Sequence, residues 1–179
     1  GDMKTNTTPS SETRHDALDG SISRSRKIHT IAYPATVGVE CMDDEHKTCV
    51  DAINAMLLAI NVTEDTGPTP ALLRRVLGEL EHHFEHEEAL MKEHIDDKQG
   101  GANSNFSALA SHVSDHANIL EVIRNELARF SNDTTTCSSG MCGQKYVNPH
   151  VAFNIARLFV DHAERFDSLY STHIPRYCT

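Results

Sequence analysis

Four long stretches of the chain place apolar residues three and four positions apart, which is the spacing that forms one face of an α-helix. They run over about Asp43 to Ile60, Pro70 to His94, Asn105 to Phe130 and Pro149 to Thr172. No stretch alternates apolar and polar residues for long enough to predict a strand. Four amphipathic helices in one small domain must bury their apolar faces against one another, which predicts an all-α, up-down-up-down four-helix bundle.

The residues before the first helix divide into a tail and an arm. Residues 1–27 are rich in Thr, Ser, Asp and Arg and offer little to a core, which predicts a disordered N-terminal tail. Segment 28–39 is mildly apolar and is interrupted by Pro34 and Gly38, which predicts an extended N-terminal arm lying over the bundle. The helical domain is therefore predicted to span residues 28–175.

Polar side chains interrupt the apolar face of every predicted helix. The chain has 12 histidines, and five of them fall on these faces together with one glutamate: His46, His83, Glu87, His112, His116 and His162. A single inward histidine is usually a hydrogen-bonded core residue, but burying such a group without a partner costs several kcal/mol. Because all four helices carry at least one, a shared metal site explains the set better than separate core contacts do. The other seven histidines, including His82 and His86, are expected at the surface.

The spacing of these residues lets several side chains reach one site. Two pairs are four residues apart, which puts the members of each pair on one helix face, one turn apart: His83 with Glu87, and His112 with His116. Asp167 follows His162 by five residues, or about 140° around an α-helix. Those two side chains converge only if the aspartate reaches back or the helix is locally widened.

A count of donors indicates a pair of iron ions. Five imidazoles and two carboxylates are too many for one zinc ion, and calcium and magnesium prefer oxygen ligands. Two irons offer about twelve positions, and the imidazoles, two bridging carboxylates and a bridging oxide or hydroxide fill all but one. One open position predicts end-on binding of a small molecule such as dioxygen. The expected pocket lining is Phe84, Ile119, Leu158 and Phe159, with Phe166 nearby.

Four segments together resemble the hemerythrin family: residues 44–47 (DEHK), residues 83–91 (HFEHEEALM), His112 to His116, and His162 to Asp167. The HFxxEExxM string is the most specific of them, and the resemblance covers residues 39–170. It implies a four-helix bundle whose non-haem di-iron centre binds oxygen reversibly. It also implies the ligands: His112, His116 and His162, with His46 and His83 on the other iron, and Glu87 and Asp167 as bridging carboxylates. The family commonly has a tryptophan in the arm and near the pocket, whereas this chain has none.

Two classes of function remain open at this point. Histidine-rich ligation with one open position favours a non-enzymatic role in oxygen carriage, storage or sensing. The alternative is an enzyme, either a di-iron oxidase such as a ferroxidase or one that reacts with peroxide or nitric oxide. Carboxylate-rich sites with several open positions are the more usual oxidase pattern. We expect a monomer or a weak homo-oligomer, with dioxygen as its ligand and a protein partner that the sequence does not identify.

Composition excludes other partners and indicates a compartment. A net charge of −10 argues against nucleic-acid binding, and no apolar run reaches the length of about 20 residues that spans a membrane. Five cysteines at irregular spacing make a poor disulfide framework, and no secretory leader precedes the domain. These features predict a reducing, cytoplasmic setting. Cys137 and Cys142 lie close enough in sequence to pair, although two exposed thiols are the more ordinary expectation.

Overall fold

A computed structural model describes residues 30–62, 68–96, 105–132 and 146–167, with residues 174 and 176. Within these ranges the chain forms no strand and four α-helices: α1 (Glu40–Val62), α2 (Pro70–Met91), α3 (Asn105–Asn132) and α4 (Pro149–His162). Both α1 and α3 pack against α2 and α4, so that the helices close a ring around one core. The predicted all-α four-helix bundle is confirmed. The predicted tail lies outside the described residues.

Two of the helices continue into a single π-helical turn, in which the helix is wider than an α-helix. One turn follows α2 at Lys92–Asp96, and the other follows α4 at Ala163–Asp167. The helical limits otherwise lie close to the predicted ones, except that α1 begins at Glu40, three residues earlier than expected. Residues 168–172, which the periodicity assigns to the fourth helix, lie outside the described part of the chain.

The starts of α2 and α4 use the same local chemistry. Thr69 and Asn148 precede them, and each side chain accepts a hydrogen bond from a backbone N–H of the first turn. A proline occupies the first helical position in both, where its missing N–H costs nothing. Glu126 of α3 is buried and accepts a hydrogen bond from the backbone N–H of Asn148 at 2.9 Å. This contact attaches the start of α4 to α3.

The segment before α1 lies along that helix as an extended arm. The backbone N–H of Ile31 donates to Oδ1 of Asn54 at 2.8 Å, and Nδ2 of Asn54 donates back to the Ile31 carbonyl at 3.0 Å. The hydroxyl of Tyr33 donates to Asp51 at 2.7 Å. The predicted arm is therefore confirmed for residues 30–39, and side chains of α1 hold it in place.

The arm joins α1 through a tight turn at Gly38. Asp43, in the first turn of α1, accepts hydrogen bonds from the backbone N–H groups of Val37 at 2.7 Å and Gly38 at 3.1 Å. Gly38 has a φ of 81°, in the left-handed region that side chains disfavour. Gly78 is helical and exposed in α2, and an added Cβ would meet nothing within 4 Å at either glycine, so that the two positions differ in backbone conformation alone.

We expect alanine substitutions at these glycines to shift stability in opposite directions. Gly38→Ala should lower the free energy of unfolding by about 1 kcal/mol, because alanine is strained at positive φ. Gly78→Ala should raise it by about 0.5–1 kcal/mol, because alanine is the better helix former and an added Cβ there meets nothing within 4 Å. Urea unfolding of both variants measures the change in the free energy of unfolding. Changes of the same sign would contradict the left-handed conformation of Gly38 or the helical one of Gly78.

The core consists of two apolar clusters with a polar layer between them. The larger cluster includes Cys49, Phe84, Ile119 and Phe159, and the smaller one is built around Val37, Val39, Met42, Met91 and Ile174. Every helix passes from one cluster to the other through one or two buried polar residues, as α1 does from Met42 through His46 to Cys49. Among the helices of the described ranges, none combines the length and the apolar character needed to cross a membrane.

The two described cysteines differ in oxidation state. Cys41 forms a disulfide bond, so the expectation that the cysteines stay reduced is wrong for this residue. Cys49 is a free, buried thiol whose Sγ lies 3.6 Å from the Glu79 carbonyl oxygen. Burial raises the pKa of Cys49, with smaller contributions from nearby carboxylates, so that it stays protonated. Cys137 and Cys142 lie outside the described residues.

Candidate metal centre

All seven side chains singled out in the sequence meet in the polar layer, and none is more than 2% exposed. They form two groups, within each of which the potential ligand atoms lie within 4.8 Å of one another. The three-histidine cluster consists of Glu87, His112, His116 and His162. The two-histidine cluster consists of His46, His83 and Asp167. Residues from all four helical elements therefore converge on one place in the core.

The three-histidine cluster is the denser of the two. The Nε2 atom of His162 lies 3.0 Å from the Nε2 atoms of both His112 and His116. Oε2 of Glu87 faces the same point, at 3.1 Å from Nε2 of His116 and 3.4 Å from Nε2 of His112. Three imidazole nitrogens and one carboxylate oxygen thus point toward a common centre.

Asp167 lies between the two clusters and faces both. Its Oδ2 atom is 2.9 Å from Nε2 of His46, while its Oδ1 atom is 3.4 Å from Nε2 of His162 and 3.7 Å from Nε2 of His112. The π-helical turn makes this possible, because a residue and the fifth one after it lie on the same side of such a turn. His162 and Asp167 could converge either through an aspartate that reaches back or through a locally widened helix, and the structure shows the widened helix.

A second set of carboxylates, which sequence reasoning missed, orients the histidines from outside. The contacts are Glu45 with Nδ1 of His83 at 3.1 Å, Glu88 with Nδ1 of His116 at 2.7 Å, and Asp115 with Nδ1 of His162 at 2.9 Å. Each carboxylate belongs to the helix before that of its histidine, so that α1 supports α2, α2 supports α3 and α3 supports α4. A sequence signal exists, because each lies next to a residue of the buried set.

These outer contacts determine which ring atoms face the centre. When the Nδ1–H of a histidine donates to a carboxylate, its Nε2 atom keeps a lone pair for a metal ion. The Nε2 atoms of His116 and His162 then turn lone pairs toward each other at 3.0 Å, an arrangement that a cation between them would stabilise.

The buried polar atoms of the site fit a metal centre. Among the described residues, Nε2 of His83 and Oε1 of Glu87 are buried without a hydrogen-bond partner. Leaving a buried charged or polar atom without a partner is costly, and metal coordination removes that cost. Mixed imidazole and carboxylate donors suit a first-row transition metal such as iron. The donor set therefore indicates a metal-binding site.

Charge at the site matches what metal ligands require. Burial raises the pKa of Glu87, but the surrounding histidines outweigh it and lower that pKa well below its ordinary range. Burial likewise raises the pKa of Glu45, and hydrogen bonds with His83 and His86 bring it below its ordinary value. Burial lowers the pKa of His83, and the hydrogen bond that His83 donates to Glu45 opposes this shift. Glu87 and Glu45 are thus ionised and His83 is neutral; for Glu87 and His83 these are the forms that bind metals.

Aromatic rings pack against histidines of both clusters. Phe84 stacks on His116 with ring centroids 3.9 Å apart, and Phe159 meets His46 edge-on at 6.1 Å and His83 at 6.4 Å. Phe166 stacks on His112 at 4.9 Å. The other two predicted lining residues, Ile119 and Leu158, pack within the larger apolar cluster.

Removing one outer carboxylate tests its role in orienting a histidine. Asp115→Asn should lower metal affinity by about 10–100-fold, because the amide holds the His162 ring less strongly and lowers its basicity. The matched control is Glu121→Gln, an exposed position six residues further along α3, which should leave the affinity unchanged. Competition with a chromophoric chelator measures both variants, and equal affinities would contradict the assignment.

The fold and the site together define a four-helix bundle with a buried metal-binding centre between two apolar clusters. The chain matches the family model described as the hemerythrin HHE cation-binding domain over residues 37–174. It therefore belongs to the hemerythrin family. Comparison with curated proteins and with solved structures found no match to the chain.

Proposed function

We propose that the chain binds two iron ions, one at each cluster, and binds dioxygen reversibly at the iron of the two-histidine cluster. The observation that carries this proposal is the unequal number of donors. The three-histidine cluster offers three nitrogens and a Glu87 oxygen, and Oδ1 of Asp167 lies near enough to add a fifth. The two-histidine cluster offers His46, His83 and Oδ2 of Asp167. Iron takes about six ligands, so the second metal has more room for a small molecule.

The surroundings of the two-histidine cluster support binding rather than catalysis. His46, His83 and Phe159 are almost completely buried, and Phe159 presents a ring edge to both histidines. Burial beside an aromatic ring favours a small apolar ligand over water or a larger polar substrate. We therefore propose a role in oxygen carriage, storage or sensing rather than as an enzyme. A bridging oxide or hydroxide completes the proposed centre.

The proposed ligand and location of the protein follow from its site and its sequence. Dioxygen is the proposed ligand, and neither a nucleic acid nor a membrane is proposed as a partner. The cytoplasmic location stays a prediction from the sequence, and the disulfide bond of Cys41 counts against a strongly reducing compartment.

An optical experiment tests the proposal. Iron-loaded, reduced protein exposed to oxygen should gain a visible charge-transfer band and lose it again under vacuum. His83→Ala should abolish the band, because it removes one of two imidazoles from the two-histidine cluster. His82→Ala is the matched control, since its side chain is 73% exposed on the same helix and should leave the band unchanged.

Two results would contradict the proposal. A band that forms and never reverses would favour the alternative of a di-iron oxidase, or of an enzyme that reacts with peroxide or nitric oxide. Iron-loaded protein without any band on exposure to oxygen would exclude oxygen binding at this centre.

A further inference from the structure

We propose that His82, His86 and Glu45 form a second binding site, at the surface, for one divalent transition-metal ion such as zinc. This site is separate from the two buried clusters and does not depend on which metal they hold. It assigns a role to two histidines that the sequence alone places at the surface.

The histidine pair has the spacing of a helical metal chelate. His82 and His86 are four residues apart on α2, so that both rings project from one face, one turn apart. Their rings are inclined by 27° with centroids 6.4 Å apart. Two imidazoles at this spacing on a helix can bind one zinc ion together. The side chain of His82 is 73% exposed and that of His86 33% exposed, so an ion can reach both from solvent.

Glu45 supplies a third donor from the neighbouring helix. Its Oε1 atom lies 2.6 Å from Nδ1 of His86 and 3.9 Å from Nε2 of His82. Ligand atoms in a tetrahedral zinc site lie about 3.3 Å apart. Binding an ion therefore requires the Nδ1 of His86 to release the proton it shares with Glu45, the 2.6 Å contact between them to lengthen, and the exposed His82 ring to rotate toward both. Two imidazoles and a carboxylate, with an open fourth position, form a common ligand set for zinc.

The surface beside the three donors is acidic. A recess of about 310 Å³ borders Glu45 and His82, and Asp44 and Glu79 also line it. Carboxylates around a recess raise the local concentration of cations. The other oxygen of Glu45, Oε2, contacts Nδ1 of His83 at 3.1 Å, so one carboxylate touches both the surface pair and the buried cluster.

Zinc binding to iron-loaded protein tests this site. The wild-type chain, dialysed against micromolar Zn²⁺, should take up one zinc ion without losing iron. His82→Ala should weaken zinc affinity by about tenfold or more, because the chelate is reduced to one histidine, and the double variant His82→Ala with His86→Ala should remove the zinc. His150→Ala, which deletes an exposed histidine at the start of α4, is the matched control and should bind zinc as the wild type does.

Metal analysis of the same samples separates this result from exchange at the buried clusters. Unchanged iron content in the double variant shows that those clusters are intact, so that lost zinc reports on the surface pair. The proposal is overturned if the double variant binds zinc as tightly as the wild type. It is also overturned if zinc enters only in proportion to the iron released.

Discussion

Asp167→Asn should reduce the iron bound per chain from about two ions to about one. Asp167 provides an oxygen toward each cluster, and the amide keeps the size of the side chain but loses its charge and one acceptor oxygen. The two-histidine cluster would then retain His46 and His83 without a charged ligand. Loss of a ligand should exceed the 10–100-fold effect of removing an outer contact, so we expect affinity there to fall by more than about a hundredfold. Metal analysis after reconstitution and desalting measures the change.

Asp161→Asn is the matched control for this variant. Asp161 lies in α4, six residues earlier, and pairs with Arg157 at 2.9 Å on the exposed side of the helix. An exposed pair of this kind contributes little to stability, so its loss should not alter metal content. Iron content at the wild-type level in both variants would mean that Asp167 is not a ligand, and a loss in both would point to general unfolding of the end of α4.

The bundle and the meeting of the buried side chains follow from local spacing. Apolar residues three and four apart indicate the inward face of each helix, and that face necessarily includes any polar residue at the same spacing. His83 and Glu87 are therefore both buried, because residues four apart lie on the same face of a helix. The same reasoning applies to His112 and His116. The helix period puts each pair on the inward face of its own helix, and the packing of α2 against α3 then brings Glu87, His112 and His116 into one cluster.

The outer carboxylates could not be found in this way. Glu45 and Asp115 each lie one residue from an inward histidine, about 100° around the helix. At that angle a carboxylate is expected to face solvent. In the structure both reach a histidine of the next helix, and that contact depends on how neighbouring helices rotate against each other. In a sequence, an acidic residue directly beside a predicted buried metal ligand indicates a candidate outer contact of this kind.

Two further features depend on the tertiary structure. The spacing of His162 and Asp167 left open whether the backbone widens or the side chain reaches back, because periodicity assumes a regular helix. The disulfide at Cys41 was also unexpected, since five cysteines at irregular spacing give no pairing pattern that can be recognised in a sequence.

Lengthening the π-helical turn by one residue should reduce bound iron, whereas shortening it by one residue should not. Inserting one alanine after Glu164 separates His162 and Asp167 by six residues, about 240° around an α-helix. We expect Asp167 to leave the site and bound iron to fall to about one ion per chain or fewer, as in Asp167→Asn. Iron analysis of the purified variant measures this loss.

Deleting Glu164 is the informative counterpart, because the π-turn contains one residue more than a regular helix needs. The deletion places the histidine and the aspartate four residues apart, on one face of an ordinary α-helix. Glu164 is exposed, so its removal leaves the buried contacts intact. We expect iron content close to that of the wild type, whereas an equal loss of iron in both variants would show that the wide turn itself, rather than the face on which Asp167 lies, is required. Retention of iron in the insertion variant would instead remove Asp167 from the proposed ligands.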